Sequence, residues 1–302
     1  MNITIDQNNI DVFKALASDK RIEIIQLLSE EDMNISTLSD RLGISKAITT
    51  RHVQQLEKAH LIKSKIISTK PGTQKICTLA IEELIVSFPK KIFPLYNHFE
   101  QSIPVGHFTD YQVKPTCGIT TTDNIIGQFD NPKYFMDSAR MNASLVWFTE
   151  GYLTYKFPNE VNDNKQLKMI EISLEISSEF PGSNNNWPSD ISFYFNKTFL
   201  GKWTSPGNYS DVRGKYNPDW WPKRNSQYGL LKTIRIASDQ THIDGDILSD
   251  VTLDDIDLSQ HLNELSIAVE ADSQYVGGLT IFGEGFGNHP QDIKVTTFYT
   301  EG

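Results

Sequence analysis

Two cysteines, Cys77 and Cys117, stand far apart in a chain of 302 residues. That excludes a disulfide scaffold and a cysteine-rich metal framework. No run of about eighteen apolar residues occurs, so no helix is expected to span a membrane. The opening residues, MNITIDQNNIDVFKALASDKR, lack a basic stretch followed by an apolar one. No secretory signal is therefore expected, the sequons at Asn142, Asn196 and Asn208 are not expected to carry glycans, and the chain reads as soluble and cytoplasmic. Catalytic signatures are missing too. There is no Gly-x-Ser-x-Gly elbow and no zinc-protease helix motif. The segment GGLTIFGEGFGNHPQD is rich in glycine but has neither the lysine nor the following helix of a phosphate loop. Its glycines fit bulges and close strand approach better. Asp244, Asp246, Asp254, Asp255, Glu270 and Glu284 could serve a glycosidase, which needs two facing carboxylates, but no spacing pairs two of them. An enzyme is not expected.

Apolar residues at 38% and aromatics at 11% suffice for packed cores, and the length is comfortable for two domains. Charge divides the chain. Residues 1–90 carry 12 Lys/Arg and 11 Asp/Glu; residues 91–302 carry 16 and 27, within a net charge of −10. Between Ile44 and Lys75 the charged residues are Lys46, Arg51, Lys58, Lys63, Lys65, Lys70 and Lys75 against Glu57 alone. Such a block is either a solvated face or a surface for a polyanion.

Periodicity favours the polyanion. NNIDVFKALASDKRIEIIQLLSE places Ile10, Phe13 and Leu16, then Ile22, Ile25 and Leu28, at helical spacing, with Ser18 or Asp19 as the cap between two helices. NISTLSDRLG predicts a third helix capped at Asn34 or Ser36 and closed by a left-handed Gly43. Ser45 then caps a fourth, with Thr49, Val53 and Leu56 inward and Lys46, Ala47, Thr50, Arg51 and Gln54 outward. A helix, a three-residue turn and a second helix have the spacing of a helix-turn-helix. LIKSKIIS and QKICTLAI, joined by TKPG, predict a hairpin with Lys70 at its tip. Duplex DNA suits this set: a helix fits the major groove, and cations on a flanking ribbon displace counterions from phosphates.

FKALASDKRIEIIQLLS, ISTLSDRLGISKAITTRHVQQLEKAHLI and the hairpin resemble the ArsR-type winged helix-turn-helix regulators over about residues 8–88. The resemblance implies a homodimer on a partly palindromic double-stranded DNA operator, often as a repressor. It places Lys46, Ala47, Thr50 and Arg51 at the groove-facing positions and Lys70 at the wing tip; Ser45 and Gln54 complete the expected DNA-binding set. His60 stands where the family usually has glycine, so a positive φ is expected there. Many relatives sense metals through cysteines on the third helix. Here that helix reads ISTLSDRL, and His98 and His107 lack a convincing partner set, so no metal site is expected.

VSFPKKIFPLYNHFEQSIPVG, with three prolines, reads as a linker over residues 89–110, with a short helix at Ile92–Phe99 that can serve the dimer. Beyond it, seven or more alternating or β-branched runs separated by turn-rich connectors predict an antiparallel sandwich over residues 111–302. DISFYFNKTFLGKW, a hairpin turning near Asn196, resembles one in jelly-roll, galactose-binding-like domains, and the order of elements is similar to larger ArsR-type regulators with a β-rich second half. The expected architecture is multidomain α+β, with the winged helix-turn-helix over residues 1–88. The connector from Thr204 to Asn225 and its flanks hold Trp203, Tyr209, Arg213, Asp219, Trp220, Trp221 and Tyr228. Long ordered loops are usually functional, and aromatic faces beside a few polar groups suit a sugar. The resemblance implies effector sensing; a carbohydrate effector is the expectation, and a protein-interaction or dimerisation module without a small ligand is the alternative. No cofactor is expected; DGD at Asp244–Asp246 is the one candidate for structural calcium.

Overall fold

The computed structural model describes residues 1–69, 72–81, 83–88, 96–161 and 165–301. It divides into two compact units, Met1–Phe93 and Pro94–Gly302.

The first unit contains helices α1 (Ile10–Leu16), α2 (Asp19–Glu30), α3 (Ile35–Leu42) and α4 (Lys46–Lys58), and strands β1 (Asn2–Thr4), β2 (Met33–Asn34), β3 (Ile62–Thr69), β4 (Gly72–Leu79) and β5 (Ile85–Ser87). β1 pairs with β5 in parallel, and β2, β4 and β3 form a three-stranded antiparallel sheet. Polar caps set the helix ends. Asn34 accepts the Thr37 N–H at 2.9 Å, and Ser45 accepts that of Ile48 at 3.3 Å. Gly43 at φ +64° closes α3, and the Ser39 hydroxyl holds the Ile44 carbonyl at 2.6 Å, which fixes the turn into α4. His60 has φ +58°, the conformation expected of it. Thr49, Val53 and Leu56 are buried as predicted, in a core with Ile24, Leu28, Leu38 and Leu42. The stripes of the first two helices hold in part: Leu28 is buried and Phe13, Leu16 and Ile25 pack against the core, joined by Val12, Ala15 and Ile24, whereas Ile10 and Ile22 are exposed. Both exposed residues sit in a first helical turn, which neighbouring elements cover least. Lys70 and Pro71 at the tip of the wing lie outside the described residues.

Among the described residues the second unit has fourteen strands. They are β6 (Asn97–Ile103), β7 (Asp110–Lys114), β8 (Gly118–Thr120), β9 (Leu145–Phe148), β10 (Glu150–Pro158), β11 (Lys165–Ser177) and β12 (Ser189–Phe195). After these come β13 (Thr198–Ser205), β14 (Leu230–Ile236), β15 (Thr241–Ile243), β16 (Asp246–Ser249), β17 (Leu262–Val269), β18 (Leu279–Phe282) and β19 (Ile293–Glu301). One antiparallel sheet runs β13-β12-β17-β10-β7. The other runs β16-β15-β14-β11-β18-β9-β8, with β19 also on β11 and β6 on β19. Leu153, Tyr155, Ile172, Phe193, Ile267 and Ile281 belong to one buried cluster that draws on both sheets, the arrangement of a sandwich. The β12–β13 turn is Asn196–Lys197, both at positive φ (+47° and +69°), the two-residue hairpin geometry that fits strand twist.

The linker reading needs correction. Residues 92–95 lie outside the described residues, but Asn97–Phe99 open strand β6, not a helix. Phe99, Gln101 and Ile103 turn inward at period two, and Phe99 stacks on Tyr299 with ring centroids 4.8 Å apart. Cross-strand packing outweighs the local helical spacing.

At one end of the sandwich a buried carboxylate organises the loops. Glu175, with no exposed surface, accepts backbone N–H bonds from Gly229 (2.9 Å), Asn288 (2.9 Å) and His289 (2.8 Å). A Cβ at Gly287 would meet a Glu175 carboxylate oxygen at 2.4 Å, and Gly287 has φ +73°, so glycine is required twice over. Glu175→Ala leaves these buried donors without an acceptor. It should destabilise the sandwich by about 3 kcal/mol or more, seen as a shift of its urea transition; an unmoved midpoint would show that the cage contributes nothing.

Candidate DNA-reading face and tryptophan cleft

On α4 the side chains of Lys46, Ala47, Arg51 and Gln54 are exposed, as is the capping Ser45. Thr50 is half-buried, its hydroxyl donating to the Lys46 carbonyl at 2.7 Å. Among the described residues neither Lys46 nor Arg51 forms an ion pair, whereas Lys58 is held by Asp11 at 2.8 Å. The block's one acid does not oppose these cations. Glu57 receives the Ser64 hydroxyl and the Lys75 ammonium (2.7 Å), tying α4 to β3 and β4. Lys63 and Lys65 stay exposed on β3. His52 is kept below its ordinary pKa by burial, then by Arg21 and Arg51, so the charge of the face comes from its lysines and arginines.

In the second unit a cleft of about 550 Å³ opens beside the Trp220 loop. Phe129, Trp147, Trp220 and Trp221 are among its aromatic walls, and Asp130, Glu179, Arg224 and Asn225 among its polar lining. The two adjacent tryptophans differ. Trp221 is 3% exposed and packs edge-on against Trp147 and Phe286, with its indole N–H on the Ser226 carbonyl. Trp220 is 38% exposed, its N–H anchored to the Thr122 carbonyl at 2.6 Å. The Glu175 cage fixes both at one remove. Asn217, five positions or fewer from either ring, accepts the Gly287 N–H at 2.8 Å and donates to the Gln227 carbonyl at 2.8 Å.

Glu179 is 8% exposed and receives the Thr280 hydroxyl at 2.8 Å. Burial pushes its carboxyl up to about 8, against the pull of Thr280 and with a push from Asp130. Burial likewise lifts Glu175 to about 7, opposed by its backbone donors. Among the described residues neither Glu179 nor Asp130 has an ion-pair partner. The broad trough across the five-stranded sheet is different: its Glu150, Glu264 and Glu270 are matched by Lys114, Lys156 and Lys202 at 2.5, 3.4 and 3.5 Å.

Of the seven expected ligand residues, only Trp220 and Trp221 line the cleft. Trp203 lies on β13 under the Lys232 ammonium (4.5 Å) and packs on the core. Tyr209 and Tyr228 stack on each other at 5.2 Å, with the Tyr228 hydroxyl on Asp211. Arg213 spends its guanidinium on the carbonyls of Asn217, Pro218 and Trp221, so it shapes the loop. Asp219 is exposed outside the lining. Trp147, Phe129, Asp130, Glu179, Arg224 and Asn225 also line the cleft without being among the residues expected there. Trp147 sits in LVWF, an ordinary core strand by pattern, and the others are joined only by the fold. The DGD segment is a turn: Asp244 takes the Lys232 ammonium at 2.6 Å, a structural pairing that uses the carboxylate proposed for calcium. Among the described residues no group of three or more His, Cys, Asp or Glu could hold a metal ion, and no helix is long and apolar enough to cross a membrane.

The family model "Bacterial regulatory protein, arsR family" matches residues 18–64. Residues 18–64 are an ArsR-family helix-turn-helix domain. This ArsR-type domain is structurally similar to the homodimeric winged helix-turn-helix DNA-binding domain of a Mycobacterium bovis protein, at 20% identity and a TM-score of 0.22. The match covers 24% of this chain and 65% of that one, just under two thirds of its length. It is also similar to reduced HlyU from Vibrio cholerae, at 22% identity and a TM-score of 0.22 over 24% of this chain and 72% of that one. Beyond the ArsR-type domain, the chain is similar to a carbohydrate-binding module, CBM36, in complex with calcium and xylotriose. That likeness has 10% identity and a TM-score of 0.28, over 66% of this chain and 98% of that one. No curated protein matches the sequence.

Two outcomes follow from the cleft. Trp221→Ala should cost about 3–5 kcal/mol of stability and Trp220→Ala about 1 kcal/mol or less, measured by chemical denaturation; equal costs would put Trp220 in the core. Glu179 binds its proton more tightly when folded (about 8) than at its ordinary value of 4.5, so its contribution to stability is fully present below about pH 4.5 and is lost as pH rises through about 8. Urea midpoints should therefore fall from pH 5 to pH 8.5, and Glu179→Gln should flatten that slope.

Proposed function

We propose that this protein is a transcription regulator whose DNA binding is controlled by a carbohydrate held in the tryptophan cleft. The ArsR-type domain supplies DNA binding. The observation that carries the sensing half is the Trp220 side chain: anchored by its N–H, yet exposed beside carboxylates and an amide. Sugars present C–H faces to aromatic rings and hydroxyl pairs to Asp, Glu and Asn groups. The protein works as a homodimer on a duplex operator, with Ser45, Lys46, Ala47, Thr50, Arg51 and Gln54 facing the groove and Lys70 reaching phosphate from the wing. The cleft binds its ligand without chemical turnover.

A saccharide panel screened by thermal shift tests the sensing, because a ligand bound only by the folded state raises the melting temperature. No shift with any saccharide would favour an interaction or dimerisation module. Arg51→Ala should weaken operator binding by about 1–3 kcal/mol, while Trp220→Ala should retain operator binding and lose the response to sugar. Gel-shift titrations with and without the stabilising saccharide separate the two; a Trp220→Ala protein that still responds would remove the cleft from the sensing role.

A further inference from the structure

We propose that the cleft selects an amino sugar, whose free ammonium group sits against Asp130 and Glu179 while its ring lies on Trp220. This rests on the carbohydrate reading of the same site and narrows it. Both carboxylates line the cleft, and among the described residues neither is neutralised by a lysine, arginine or histidine. On the trough of the five-stranded sheet each of three glutamates has its lysine; what sets the cleft apart is that one of its two unmatched acids, Glu179, is buried. Arg224, the one cation of the lining, is exposed and pairs with neither acid.

Burial makes the mismatch costly. Glu179 is more than nine-tenths buried, and an ionised carboxylate there needs a counter-charge or it stays protonated. The groups that face it are the Thr280 and Thr116 hydroxyls, the Asp130 carboxylate and the Cys117 thiol. None is a cation, and Cys117, pushed up to about 12 by burial, stays neutral. A hydroxyl of a neutral sugar can donate to these acids but brings no charge. A uronic acid would add a third negative group. An ammonium supplies what is missing, and the cleft is lined by Trp220, Phe129 and Trp147, whose π faces attract a cation. With the ammonium in place Glu179 gives up its proton to solvent and both carboxylates accept from the ligand.

The test compares a β-1,4-linked glucosamine tetramer with its fully N-acetylated counterpart by titration calorimetry on the whole protein. At pH 6 the sugar amine is largely charged and Glu179 is protonated. The amino form should bind about ten-fold more tightly or better, with roughly one proton released per site, read by comparing two buffers of different ionisation enthalpy. Glu179→Gln should abolish the proton release and most of the preference. If that variant is poorly folded, Asp130→Asn, at an exposed position, should still cut the preference several-fold. Equal binding of both tetramers without proton release would overturn the ammonium assignment and leave the carbohydrate reading standing. Binding of putrescine and choline as tightly as the glucosamine tetramer would overturn the saccharide and leave a cation site. Failure of all of these ligands to bind would remove both.

Discussion

A single carboxylate, Glu175, holds together the end of the sandwich that carries the cleft. The segments around Gly229 and Gly287–His289 are loops whose N–H groups have no strand partner at these positions, and a buried N–H must find an acceptor. Glu175 supplies it from the middle of the sheet. The consequences run outward: Gly287 approaches because it has no side chain, Asn217 is bonded to Gly287, and the tryptophan loop follows Asn217. The desolvation that lifts the Glu175 carboxyl toward neutrality is the cost of using a charge where backbone ladders cannot reach.

The ArsR-type domain uses its one central acid in the opposite spirit. Glu57 stands among seven cations in sequence, and an acid on the groove face would repel phosphate. It is bound by Ser64 and Lys75 instead, so it locks the recognition helix to the wing strands and leaves Lys46 and Arg51 unopposed. In the first unit a half-buried, paired acid lies beside the exposed cations; in the second, an unmatched acid lines a cleft.

Local signals were the readable part of the sequence. Asn34, Gly43, Ser45 and His60 announce helix ends because each acts within three or four residues, and the Asn196–Lys197 turn was readable for the same reason. The division of α4 into a buried face at Thr49, Val53 and Leu56 and an exposed one at Lys46, Ala47, Arg51 and Gln54 followed from helical period alone. Residues 97–99 misled because their strand partner is Thr297–Tyr299, distant in sequence and silent in a local window. The cleft was half-legible. An aromatic-rich loop marks Trp220 and Trp221, but Trp147, Asp130 and Glu179 come from other strands and loops. Arg213, Tyr209 and Tyr228 looked like ligand groups because the side chains that bind a sugar are also those that brace a long loop.

The pairing of β11 with β19 sets an order of events in synthesis. Lys165 pairs with Glu301, and Tyr299 with Asn97, so the larger sheet cannot close until residues 293–301 have left the ribosome. The helix-turn-helix, whose contacts are short in sequence, is free to fold long before that. A nascent chain therefore has a folded helix-turn-helix before it has a finished sandwich. In that interval the uncovered edge of β11 is the surface most exposed to mispairing and aggregation.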